Sequence, residues 1–164
     1  MEHFNAASAE ALEETLLACL HSPRWSRRVA EHRPYPDLDS LLAAAEEAAY
    51  DLTWPDLTEA LAAESLPPLP PGTYSAAHTA LSAAHAAYEA RFGHVFVICL
   101  ADVPPAETLD RLLEAIRSRL TNDPEEERMV VADELRRLAR ARLVSTLRGA
   151  ENCATSPHGA APGR

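Results

Sequence analysis

No part of this 164-residue chain stays apolar for the roughly 20 residues that a membrane-spanning helix needs, so a membrane is not an expected partner. The opening MEHFNAASAE has neither a basic start nor an apolar core; no secretory signal is expected, and the cytoplasm is the expected location. Cysteine is scarce. Cys19, Cys99 and Cys153 are too few and too scattered for a disulfide framework or a zinc knuckle, which predicts reduced thiols and no metal site. Positive charge is also short: 15 Lys and Arg face 25 Asp and Glu, a net charge of -10. Affinity for nucleic acid rests mainly on cations that displace counterions from phosphates, so nucleic acid is not an expected partner either. Strand-forming sequence is limited to one continuous run, Val95 to Leu100 (VFVICL), and one extended stretch does not make a sheet.

What the chain does have is helical periodicity. With 47% hydrophobic against 24% charged residues it is globular, and its length suits one domain with one core. Leu12, Leu16, Leu17 and Leu20 form one apolar stripe. Ser22 and Pro23 read as an N-cap and first-turn proline for a helix carrying Trp25 and Val29. Further helices are expected from about Asp39 and from Pro55. The segment SLPPLPPG, Ser65 to Gly72, holds four prolines and must be a loop, since proline removes a backbone donor and disfavours helix before it. A helix from near Ser75 ends at Gly93, and another, with Leu109, Leu112, Leu113, Ile116 and Leu120 on one face, ends near Asn122. Asp123, Pro124 and the triplet Glu125 to Glu127 open a last helix to about Arg148, because a helix N-terminus attracts negative charge. The expected organisation is an all-α domain over 1–148 and a disordered tail over 149–164, rich in small and polar residues. Trp25, Leu42, Leu61, Phe92, Phe96, Ile98, Leu113, Leu135 and Leu138 are the expected core.

Three segments, in order and at compatible spacing, resemble the 2-oxo-4-hydroxy-4-carboxy-5-ureidoimidazoline (OHCU) decarboxylase family. The first, FNAASAEALEETLLACLHSPRWSRRVAEHRPYPDLDSLLAAAEEA, has that family's Cys followed by a Trp and its Arg-Pro-aromatic turn. YEARFGHVFVICL is similar to its Tyr-x-x-basic-Phe-Gly signature ending in Ile-Cys, and RLTNDPEEERMVVADELRRLARARL to its closing pattern. The likeness covers Phe4 to Arg148. It implies a single-domain helical bundle, often dimeric, that needs no metal or organic cofactor. The implied reaction removes carbon dioxide from a small ureidoimidazoline of urate oxidation and yields (S)-allantoin.

The sequence departs from this pattern where the resemblance expects catalysis. The family's His-Pro pair has no counterpart in WPDL, Trp54 to Leu57, because TEALAA should precede that pair rather than follow it. The alignment instead puts Glu64 and Ser65 there, making Glu64 the candidate catalytic position. A Ser-x-x-Glu-Gln helix start has no room before Tyr88, and YSAAHT, which sets His78 in the Glu place, lies too far along the chain. By resemblance the remaining candidates for substrate binding are Val97, Ile98 and Cys99, through main-chain contacts to a ureide, and Arg142, whose planar guanidinium suits a carboxylate. Plain core packing competes for the first three and a solvated helix face for Arg142. His78, His85 and His94 are alternative acids, since histidine titrates near neutral pH, although surface or buried structural histidines are commoner. Two readings follow: a decarboxylase with weakened chemistry, or a silent homologue that keeps the bundle as an interaction module. An unrelated small helical regulator would require the likeness to be chance.

Overall fold

The computed structural model describes residues 1–67 and 74–154, with nothing of the side chains of 150–154. Eight α-helices occur among the described residues, and no strand. They are α1 (Glu2–Ala6), α2 (Ala9–Cys19), α3 (Pro23–Glu31), α4 (Leu38–Tyr50), α5 (Trp54–Ala63), α6 (Ser75–Phe92), α7 (Thr108–Arg119) and α8 (Pro124–Ala154), with a 3₁₀ turn at Pro105–Glu107 before α7. None of the described helices is long and apolar enough to cross a membrane.

Local chemistry sets most of these boundaries. The Ser22 hydroxyl accepts from the Trp25 N–H at the start of α3, and the Asp37 carboxylate accepts from Ser40 N–H at 2.8 Å at the start of α4. Asp56 accepts from the Thr53 N–H at 2.8 Å and so fixes the entry to α5. Gly93 stops α6 in the left-handed region at φ 77°, where a side chain would be strained. Asp123 caps α8 by accepting from the N–H groups of Glu125 and Glu126, both at 2.9 Å. Sequence periodicity does not reveal α1, and it places the end of α7 near Asn122, whereas the helix closes at Arg119 with turn bonds to Thr121 and Asn122. α8 passes Arg148 and continues to Ala154, so it is 31 residues and about 46 Å long. The rest of the expected tail, 155–164, lies outside the described residues, as do residues 68–72 of the proline loop.

Helices α2, α3 and α4 pack in succession and α8 closes over α2 and α4. The larger apolar cluster lies here, around Leu12, Leu16, Trp25, Leu41 and, from α8, Val131, Leu135 and Leu143. Burying the Trp25 indole requires a partner for its N–H, and the Ala45 carbonyl accepts it at 2.8 Å. A second cluster joins α6 and α7 through Leu81, Tyr88, Leu112 and Ile116, with Phe96 and Ile98 of the extended run between them. Six of the nine expected core residues are buried; Phe92, Leu113 and Leu138 are half-buried. Phe92 sits at the open end of α6 beneath the Arg91 guanidinium, Leu113 edges the second cluster, and Leu138 faces a cavity.

The run Val95–Leu100 connects the two clusters without a sheet. No strand meets its buried polar groups, and at Val97 and Cys99 side chains do so instead. Arg119 donates to the Val97 carbonyl, and the Glu134 carboxylate accepts from the Cys99 N–H at 2.7 Å. Arg119 is itself held by Glu127, with Nε–Oε1 at 2.8 Å, and both side chains are almost completely buried. The Tyr88 hydroxyl donates to the same carboxylate, and Asn122 donates to its other oxygen at 2.8 Å. Burial, then the Glu127 hydrogen bond, pushes the Tyr88 phenol far above its ordinary range, so it stays a donor.

Removing one partner of a buried ion pair leaves the other charge uncompensated. Glu127→Ala and Arg119→Ala are each expected to cost about 3–5 kcal/mol in urea unfolding, against under about 1 kcal/mol for Arg111→Ala, whose ion pair is exposed. His85 generates a second prediction. It is buried against Phe96, and its Nε2 is the one buried side-chain polar atom without a hydrogen-bond partner among the described residues. Burial lowers its pKa, against a smaller opposing effect of Glu89. The unfolded histidine takes up a proton near pH 6.5. The neutral folded form thus contributes full stability above that pH, and loses it as pH falls below 6.5 toward the folded value. Wild type is expected to lose more melting temperature between pH 7.5 and pH 5.5 than His85→Leu, read by circular dichroism; parallel losses would refute the assignment.

Candidate functional site

Helix α5 ends at Ala63, and Glu64 leaves it in an extended conformation, its N–H bonded back to the Leu61 carbonyl at 3.1 Å. Its side chain thus departs from the helix end rather than from a helix face. It meets Arg142 of α8 in a two-pronged pair: Nη1 to Oε1 at 2.6 Å and Nη2 to Oε2 at 2.7 Å. Arg142 Nη1 also donates to the Cys19 carbonyl at 3.2 Å, one of the carbonyls that the end of α2 leaves without a helical partner. One guanidinium therefore ties together α2, α5 and α8. The carboxylate holds the guanidinium's charge above its already high ordinary range.

Beside this pair runs Val95–Leu100. In an extended chain the N–H and C=O of successive residues point to opposite edges, so residues 97 and 99 share one edge and residue 98 takes the other. Arg119 and Glu134 occupy the first edge. Among the described residues the Ile98 N–H and C=O have no hydrogen-bond partner. A cavity of about 350 Å³ is lined by Glu64, Ser65, Leu66, Pro67, Val97, Ile98, Leu100, Ala101, Thr108, Leu138 and Arg142. Its volume and mostly apolar wall with a few polar groups are those of a small-molecule site.

Four of the five residues singled out from sequence, Glu64, Val97, Ile98 and Arg142, come together on this cavity. Cys99 does not: its thiol is buried, and it borders a different hollow with Arg137, Arg140 and Arg148. The histidines are elsewhere as well. His78 is exposed on α6, His85 lies in the second cluster, and His94 packs edge-on against Trp54 and Tyr88. Among the described residues no group of three or more His, Cys, Asp or Glu is placed to hold a metal ion.

Sequence reasoning missed the residues that hold the site in place. Arg119, Glu127 and Glu134 look like ordinary helix charges in RLTNDPEEER and VVADELRR. The available signal was position. Arg119 closes α7 and Glu127 opens α8, so a short turn brings opposite charges onto facing helix ends.

The OHCU decarboxylase family profile matches residues 5–66 and 72–144, which is most of the chain. The chain belongs to the OHCU decarboxylase family. Its fold is shared with a crystal structure of OHCU decarboxylase in the presence of (S)-allantoin: TM-score 0.70, 21% identity, 83% of this chain and 98% of that one covered. A crystal structure of (S)-allantoin synthase matches with TM-score 0.69 and 19% identity over 88% of this chain. That match takes in 52% of the synthase, so this chain spans about half of its length. No curated protein matches the chain. Within the OHCU decarboxylase family, then, this member joins a helix-end glutamate to an α8 arginine on the wall of a small cavity.

The Glu64 side chain is 7% exposed and that of Arg142 is 37% exposed, so solvent screens the pair more than a fully buried one. A double-mutant cycle with Glu64→Gln and Arg142→Gln is expected to give a coupling of about 1–3 kcal/mol in chemical denaturation. Additive losses would show that the two side chains do not support each other.

Proposed function

We propose that the chain acts in urate breakdown, decarboxylating 2-oxo-4-hydroxy-4-carboxy-5-ureidoimidazoline to (S)-allantoin in the Glu64–Arg142 cavity, with weak chemistry. The observation that carries this reading is the meeting of Glu64, Arg142 and the unpaired Ile98 peptide edge around one small cavity in a chain of this family. The Ile98 N–H and C=O offer a donor and an acceptor to a ureide. Arg142 has the planar donor set that a carboxylate requires, but Glu64 already takes it through both oxygens, so a substrate carboxylate has to compete for it, which is a further reason for weak chemistry. The substrate's carboxylate lies next to an electron-withdrawing carbon and leaves as carbon dioxide once held and desolvated. The carbanion that remains must then be protonated on one face to give one enantiomer.

That last step is where this chain is poor. Glu64 stands where the resemblance expects an imidazole, and a carboxylate accepting from a guanidinium through both oxygens has no proton to give. No histidine is among the described residues lining the cavity. The same observation favours a second reading, in which the chain is silent and the bundle serves as an interaction module.

Losing a positioned general acid costs about 10²–10⁴ in rate. Turnover of freshly generated ureidoimidazoline is expected to be at least ~100-fold below that of a family member with the imidazole, and Glu64→His alone is not expected to restore it. The assay follows the appearance of optical activity from (S)-allantoin over the racemic background. A rate within tenfold of such a relative would overturn the assignment of weak chemistry; optical activity no faster than background would favour the silent reading.

A further inference from the structure

The cavity carries its own counter-charge. Of the described residues that line it only Glu64 and Arg142 are charged, and they face each other at 2.6 and 2.7 Å. The described wall's net charge is therefore zero. Arg142 has five N–H donors; three hydrogen bonds go to Glu64 and the Cys19 carbonyl, and the guanidinium remains 37% exposed. It can still donate to a neutral acceptor. A ligand carboxylate, by contrast, must either displace Glu64 or enter a cavity whose cation is already neutralised. Displacement is a contest with a tethered rival: a group fixed beside its partner acts at an effective concentration in the millimolar range or above, whereas a free ligand acts only at its own concentration. Entry without displacement strips water from an anion and sets it beside another anion. Neither obstacle applies to an uncharged amide or ureide, which can use the Ile98 peptide edge and the spare guanidinium N–H.

We infer that Glu64 is the specificity-determining residue of this cavity, acting as an internal carboxylate that makes the site prefer uncharged ureides to ureide carboxylates. This rests on the cavity being the ureide site proposed above. It adds that the acid-binding half of such a site is already occupied from within, by a residue of the chain itself.

A matched pair of probes tests it: hydantoin-5-acetamide and hydantoin-5-acetate, the same ring ureide with a neutral or an anionic arm, titrated calorimetrically at about pH 7.5. Wild type is expected to bind the amide at least tenfold more tightly than the acetate. Glu64→Gln, which frees the guanidinium, is expected to move that ratio at least tenfold toward the acetate. In Glu64→Gln/Arg142→Gln, where the cation is gone too, preference is expected to return to the amide. Helical circular dichroism equal to wild type checks that each variant is folded, and the wild-type ratio stands without any variant. Acetate bound by wild type as tightly as the amide, or a ratio unmoved in folded Glu64→Gln, overturns the inference while leaving the cavity a ureide site. Binding of neither probe by wild type and Glu64→Gln alike overturns the ureide-site reading, and this inference with it.

Discussion

A single extended stretch in a protein of helices creates a problem that helices cannot solve. Most of it is buried, and among the described residues there is no strand to pair with its peptide groups. Arg119 and Glu134 act in place of that strand, the first taking the Val97 carbonyl and the second the Cys99 N–H. An arginine can do this in a core only if its charge is answered there, and Glu127 answers it, with Tyr88 and Asn122 completing the set of bonds. Replacing a buried ion pair by apolar residues is often neutral or stabilising, so net stability does not explain this one. Position does: an apolar substitute would leave the Val97 carbonyl buried and bare, and the run would lose its register between the two clusters.

That register determines what the other edge offers. Because residues 97 and 99 are held on one side, residue 98 presents its peptide on the other, where none of the described residues uses it. The cavity wall beside Glu64 and Arg142 is thus a consequence of a network built on α6, α7 and the start of α8. The two ion pairs have similar chemistry and different roles. Arg119–Glu127 is sealed and has nothing to exchange with. Arg142–Glu64 borders a cavity of about 350 Å³, where a ligand can compete for either partner.

Much of this was legible in the sequence because it depends on local rules. Ser22 with Pro23, Gly93, and Asp123 with Pro124 mark helix ends through backbone chemistry that does not depend on the rest of the fold, and the structure sets them there. Stripes such as Leu12 and Leu16, or Leu112 and Ile116, reveal which face is buried. The gathering of Glu64, Val97, Ile98 and Arg142 was reachable only through the family likeness, since Glu64 and Arg142 are 78 residues apart and follow no periodicity. Position in a signature was not enough for Cys99, whose N–H is taken by Glu134 and whose thiol is buried beside a different hollow. Phe92 shows the converse limit, because an aromatic on a stripe still stays half-open at the last turn of a helix. The buried charges were illegible, since nothing in Arg119, Glu127 or Glu134 taken singly separates them from a solvated face.

On the proposed reading, the position of Glu64 also explains how the fold would persist with weaker chemistry. It caps α5 rather than filling a stripe, so replacing the expected imidazole there removes nothing from either apolar cluster. A neutral imidazole at that place would leave Arg142 its charge to offer a ligand. A carboxylate takes that charge instead and locks α5 to α8 and, through the Cys19 carbonyl, to the end of α2. On that reading one substitution would remove a proton donor, neutralise a cation and add a cross-link. The two losses would be to function and the gain to structure, which is the direction in which a site drifts when activity and stability compete for the same side chain.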